Sequence, residues 1–146
     1  MSVALLDVNV LVALFDPAHI NHETAHNWFG EHSGRGWATC AVTISGCVRI
    51  LSNPVYPTVT ATPAQVISKL QVVCASPHHE FWNADVSLLD PASFHASRIT
   101  GHQQLTDIYL LALAVKHGGH LITYDRSIPA KAVAGAEAKH VQLLVT

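Results

Sequence analysis

Apolar residues recur along this chain in two kinds of run that take turns. Short continuous runs at residues 3–6, 37–40, 120–123 and 141–145 read as buried strands. Between them apolar positions return every three or four residues, the period of a helix with one face in a core. Helices are predicted over 9–15, 22–32, 62–74, 90–99 and 105–117. A further one opens at Thr43 or Ser45 and carries Ile44, Cys47, Val48 and Leu51. The ends carry matching punctuation. Asp16-Pro17 closes the first helix, Asn21 is placed to cap the second, and Asn53-Pro54 stops the third. Thr62-Pro63 and Asp90-Pro91 each pair a cap with a proline at the first helical position, and Gly101 ends the helix that Asp90 opens. Residues 33–36 form a turn, 55–61 a loop, and Phe81-Trp82-Asn83 a short edge strand.

The helix over 105–117 is apolar nearly all round, so it is predicted to be central and buried, with Gly118-Gly119 as its cap. Strands that alternate with helices predict an α/β fold, a three-layer sandwich with a central parallel sheet flanked by helices. With 146 residues, a single domain over 1–146 is expected.

Composition narrows the class. Residues are 49% hydrophobic and only 12% charged, which suggests that some apolar surface is covered by a partner or a second copy. A net charge of −2 argues against coating nucleic acid by bulk charge, but not against a nuclease whose metal supplies charge locally. No apolar run is long enough to span a membrane, and no basic segment precedes the first one. An intracellular, cytoplasmic protein with no membrane partner is expected. Cys40, Cys47 and Cys74 are odd in number and form no C-x-x-C pair, so they read as small core residues.

Three acids break the apolar pattern in the same way. Asp7 and Asp125 each follow an apolar strand, and Asp107 lies in the first turn of the apolar helix. Strand ends and helix starts share one rim of a parallel sheet. If the first strand and the 120–123 strand are neighbours, the three carboxylates converge. They would then repel unless a proton or cation lay between them. Mg²⁺ or Mn²⁺ suits such a set and would activate a water for attack at phosphorus. The plainer alternative is three separate helix or turn caps.

Other constellations compete. His22-Glu23-Thr24-Ala25-His26 has the H-E-x-x-H spacing of zinc peptidases but no evident third ligand, so solvated histidines explain it as well. Asp7-Val8-Asn9 is near the Asp-x-Asp of haloacid-dehalogenase-like phosphatases, with an amide where the second acid belongs. Trp28, Trp37 and Trp82 read as core, Arg126 as a candidate phosphate contact, and Arg98 and Lys116 as solvated charges.

One family fits the ordered set. Leu5-Leu6-Asp7-Val8-Asn9-Val10-Leu11, then Thr106-Asp107-Ile108-Tyr109-Leu110-Leu111-Ala112, then Leu121-Ile122-Thr123-Tyr124-Asp125-Arg126, resembles the PIN-domain ribonucleases. More narrowly it resembles the VapC toxins of toxin–antitoxin pairs. The segments 38–40, 48–54 and 101–107 add to the likeness. The resemblance implies a Mg²⁺- or Mn²⁺-dependent endoribonuclease with RNA as substrate, a homodimer, and a cognate VapB-type antitoxin. It implies that Asp7, Asp107 and Asp125 bind metal, that Asn9 and Thr123 orient them, and that Arg49 falls where the family often has an Arg. It also exposes a departure: the Glu expected five residues before that Arg is Ile44. A site weakened to one metal, or a non-catalytic PIN-like module that binds RNA or a partner, follows as an alternative.

Overall fold

The computed structural model describes residues 2–145. Its five strands are β1 (Ala4–Leu6), β2 (Trp37–Cys40), β3 (His79–Trp82), β4 (His120–Thr123) and β5 (Val141–Leu143). They form one sheet in the order β3-β2-β1-β4-β5, and every pairing in it is parallel. The chain builds outward from β1 to β3, then returns to lay β4 on the other side of β1. This reversal makes the β1–β4 junction the switch point of the sheet, where α/β folds open a crevice at the carboxyl ends of the strands. Leu6 pairs with Ile122 there, so the two strands end side by side.

Alternation along the strands assigns the two faces. Ala4, Leu6, Trp37 and Ile122 enter one core with residues of α1 (Val8–Phe15), α2 (His22–His32), α3 (Ala41–Leu51) and α4 (Pro63–Cys74). Leu5, Ala38, Cys40 and Leu121 enter a second core against α5 (Leu105–Lys116). Both faces are therefore covered, which is why the central strands are apolar throughout rather than alternating with polar residues. In α5 the buried set runs without interruption from Leu110 to Ala114, with Ile108 before it. Each of its Leu and Ile side chains contributes roughly 1.5–3 kcal/mol by burial.

The expected sandwich is present, but several local expectations need correction. Residues 90–99 are not a helix. The Asp90 carbonyl accepts from the N–H groups of Ser93 and Phe94, so one turn forms. The His95 N–H then goes instead to the Ala132 carbonyl (2.8 Å) and Phe94 bridges Val133. Only a 3-10 turn at Ala96–Arg98 follows. The edge strand starts at His79, earlier than expected, and β5 stops at Leu143. Helix α3 begins at Ala41, because the Thr43 hydroxyl accepts from the Cys40 N–H (3.0 Å) and closes the helix start from inside its first turn. Asn21 makes no side-chain cap, and its Oδ1 is buried without a partner.

Asp16, expected only to end α1, is buried and anchors the 55–61 loop. Its carboxylate accepts from the hydroxyls of Tyr56 (2.7 Å) and Thr58 and from the Ala18 N–H (3.0 Å). Burial pushes its pKa up, but these bonds outweigh it and leave Asp16 below the usual carboxylate range.

Two glycines separate the effects of space and helix propensity. A Cβ on Gly119 would lie 2.4 Å from the Val3 carbonyl oxygen and 2.6 Å from the Trp82 ring, whereas one on Gly30 in α2 would meet nothing within 4 Å. Gly119→Ala is expected to destabilise the protein by about 2 kcal/mol through overpacking. Gly30→Ala is expected to stabilise it by up to about 1 kcal/mol. Chemical denaturation of the two variants checks both the sizes and the opposite signs.

Candidate active site

Asp7 leaves β1 and caps α1 in one step. Its Oδ1 accepts from the Val8 N–H at 2.7 Å, so the capping role considered from sequence is real. Its second oxygen is committed elsewhere: Oδ2 accepts from the Thr123 hydroxyl at 2.7 Å. That hydroxyl, at the end of β4, also accepts from the Asp125 N–H (3.0 Å) and from Asn9 Nδ2 (3.4 Å). Thr123 therefore fixes Asp7 and the start of the Asp125 turn with one oxygen. Asn9 completes the link by accepting from the Tyr124 N–H at 3.4 Å.

Asp125 is held on its far side by Ser127, whose N–H (2.8 Å) and hydroxyl (2.7 Å) both donate to Oδ1. Sequence reasoning missed Ser127, although an Asp with a Ser two residues on is the signature of such a turn. Tyr124 was missed as well. Its hydroxyl meets the Thr24 hydroxyl (2.5 Å) and the Asn21 carbonyl (3.1 Å), which ties the rim to α2.

Asp107 enters from the first turn of α5 and makes side-chain contact with both Asp7 and Asp125. The three acids therefore converge. The four ion pairs found among the described residues include none of them. Burial, then the contact with Asp125 and the charge on Asp7, push Asp107 up to about 8. Burial also raises Asp7, against the bonds from Thr123 and Val8 that favour its ionised form. Asp125 lies below the usual range, because the Asp107 carboxyl and the Ser127 N–H both favour its charged form.

Among the described residues, no group of three or more His, Cys, Asp or Glu side chains forms a ready-made metal cage. The donor set nevertheless fits Mg²⁺ or Mn²⁺, which need only one or two carboxylates beside water and a substrate phosphate. The carboxylates contact one another with no side-chain cation between them, which is the chemistry a divalent ion satisfies.

Other candidates are placed differently. Arg49 lies exposed in the last turn of α3 and makes no hydrogen bond or ion pair among the described residues. Ile44, in the first half of α3, is half-buried and packs on the same apolar cluster as Val8, the residue after Asp7. His22 and His26 stack with ring centroids 5.5 Å apart, but the His22 Nδ1 is engaged with the Ala13 carbonyl at 2.7 Å. His22 thus joins α2 to the end of α1, and among the described residues no third His, Cys, Asp or Glu joins the pair in a metal-binding group.

The PIN domain model matches residues 4–134. Ribonuclease VapC44 of Mycobacterium tuberculosis is 46% identical over 144 residues, which span 97% of this chain and 99% of that protein. Ribonuclease VapC39 of the same organism is 42% identical over 132 residues, spanning 90% and 95%. The chain belongs to the PIN-domain family, among the VapC proteins. Two solved structures share the fold at 13% identity. Mycobacterium tuberculosis VapC20, described as a sarcin–ricin loop cleaving toxin, aligns with a TM-score of 0.62 over 89% of this chain and 98% of that one. VapBC2 from Rickettsia felis, solved with a DNA fragment from its promoter, aligns with a TM-score of 0.58 over 98% and 99%.

The proton held in this PIN domain sets a direction for stability against pH. Asp107 stands at about 8 in the folded protein against an ordinary 3.8. Across that window the native state keeps a proton that the unfolded chain has released, so stability falls as pH rises through it. The depressed acids Asp16, Asp85 and Asp125 act elsewhere, since their contribution is lost only as pH falls below the ordinary carboxylate range. Half-buried His79 and His120, both lowered from 6.5 by burial, act in the opposite sense at lower pH, so in EDTA Tm is expected to fall between about pH 6.5 and about pH 8. Asp107→Asn should flatten that slope, and excess Mg²⁺ should recover Tm most at the alkaline end. Thermal melts across this range check it.

Proposed function

We propose that this chain is a metal-dependent endoribonuclease, the toxin of a toxin–antitoxin pair, which hydrolyses RNA phosphodiester bonds at the Asp7–Asp107–Asp125 centre. The observation that carries the reading is the convergence of the three carboxylates at the β1–β4 switch point. The names of its 42–46% identical relatives, Ribonuclease VapC39 and VapC44, support the same chemistry. A cognate VapB-type antitoxin is proposed as its partner, in keeping with the VapBC2 neighbour. A homodimer is proposed as its assembly, in keeping with its low charge and 49% hydrophobic content. No helix among the described residues is long and apolar enough to cross a membrane.

The residues divide the work by position. Asp7, Asp107 and Asp125 would hold the ion. When bound, Mg²⁺ or Mn²⁺ supplies positive charge at the scissile phosphate and makes an attacking water more acidic. Thr123 holds Asp7 through Oδ2 and the Asp125 turn through its N–H, so the spacing of the two acids is set before substrate arrives. Asn9 braces Thr123 and the Tyr124 backbone. Ser127 holds Asp125 in its ionised form. The centre would expel the Asp107 proton as the ion enters, so cation affinity should rise with pH.

Ile44 favours a second reading, a PIN-like module that binds RNA without cutting it. An apolar side chain stands where the family resemblance places a fourth acid, which lowers the charge available to a cation. Two experiments separate the readings. Purified, antitoxin-free protein should cleave RNA in Mn²⁺, and Asp7→Asn or Asp125→Ala should lower the rate at least about 100-fold with circular dichroism unchanged. Full activity in either variant would sink the assignment, and no cleavage by the parent would favour the binding module. Ile44→Glu should tighten Mn²⁺ binding in calorimetry. Unchanged affinity and stoichiometry would remove position 44 from the metal site.

A further inference from the structure

We propose that the groove between residues 95–98 and 130–138 is an anion site for the phosphodiester backbone of the RNA strand that passes the carboxylate centre. The proposal rests on the ribonuclease reading for its ligand, and on the following observations for its place.

The groove encloses about 610 Å³, with His95, Ser97, Arg98, Lys131 and Glu137 as its polar lining. Its two walls are zipped together. The Phe94–Val133 bridge is flanked by bonds from the His95 N–H to the Ala132 carbonyl (2.8 Å) and from the Ala134 N–H to the Ser93 carbonyl (3.0 Å). Phe94, Ala132 and Val133 are buried beneath, while Arg98 and Lys131 stay exposed. The two cations are thus presented from a fixed backbone.

Their charge is not neutralised locally. Among the described residues Arg98 and Lys131 take part in no ion pair, and the one acid in the lining, Glu137, faces Lys139 at 3.4 Å. By contrast, Lys116 on the neighbouring surface is spent on Asp85. In a chain of net charge −2, two free cations on one groove are a local excess of positive charge. A polyanion approaching three carboxylates needs such an excess beside them.

Both walls lead to the acids. Lys131 follows Asp125 by a short segment that includes Arg126, and Arg98 precedes the 3-10 turn His102–Gln104 that opens into α5 and Asp107. Chain connectivity ties each wall to an acid, and under the proposal a strand cut at the carboxylates continues along this groove, whose Gly135 lies against Val115 further along α5. The Arg98 guanidinium offers a fork matched to phosphate oxygens, Lys131 a point charge, and Ser97 a hydroxyl donor. No Phe, Tyr or Trp lines the groove, so the only stacking it offers a base comes from the His95 ring and the Arg98 plane. It would hold backbone and leave sequence reading to other parts of the surface.

The test measures binding of a labelled single-stranded RNA across a salt series. The background is Asp7→Asn, which keeps the RNA intact, and parent protein in EDTA serves as its control. Arg98→Ala combined with Lys131→Ala is expected to weaken binding about tenfold and reduce the salt slope by about 1.4, roughly 0.7 for each phosphate left without its cation. Lys69→Ala, an exposed cation on α4, should change neither value. Unchanged affinity and slope in the double variant would overturn the proposal, as would an equal loss in Lys69→Ala. Loss of antitoxin binding with RNA affinity intact would also overturn it, by assigning the groove to an acidic protein segment. The ribonuclease reading fails separately. Parent protein that binds RNA through Arg98 and Lys131 but never cuts it would support the groove and reject the activity. Cleavage together with an unaltered double variant would reject the groove alone.

Discussion

Three carboxylates cannot share one crevice as anions unless positive charge or a proton lies among them, and the strand order of this sheet forces them to share one. Laying β4 against β1 brings Leu6 beside Ile122, so the residues that follow, Asp7 and the Thr123–Asp125 turn, emerge at the same point. Packing α5 across that junction adds Asp107. Burial, and then the neighbouring acids, push Asp107 up to about 8. An arrangement that is unfavourable for the empty protein is the one a divalent cation relieves. The same repulsion can thus oppose folding and favour metal binding.

What keeps the acids from moving apart is apolar packing beneath them and one hydroxyl between them. Leu5, Leu6, Leu121 and Ile122 are fully buried on the two faces of the sheet, so neither strand can shift without exposing core. Thr123 converts that rigidity into side-chain geometry, since its oxygen bonds to Asp7, Asn9 and the Asp125 backbone at once. A valine of similar shape would fill the space and make none of these bonds, because only a hydroxyl both donates and accepts.

Legibility in the sequence tracked the range of the interaction that fixed each residue. Asp7, Asp107 and Asp125 stood out because each interrupts an apolar run, and burial of those runs leaves few reasons for an acid. The parallel sheet was legible from the same runs. Helix 90–99 was misread because Asp90-Pro91 is a valid local start signal, whereas its cancellation lies in pairing with residues 132–134. Asp16 read as a terminator because its partners, Tyr56 and Thr58, are 40 and 42 positions away. Arg98 is exposed, as expected, and its place across a groove from Lys131 is set by the same distant pairing.

Ile44 is where packing and chemistry meet most closely. Around it, α3 comes so near α1 that a Cβ on Gly46 would sit 2.8 Å from a Val8 methyl. The Ile44 side chain packs on the same apolar core cluster as Val8. A glutamate there would trade burial for charge, a loss that a neighbouring cation would have to offset. Isoleucine makes the opposite choice and keeps the apolar packing of α3. Under the proposed metal reading, the residue would shift the balance between stability without the ion and affinity for it. Its effect on cation affinity and its effect on stability should have opposite signs.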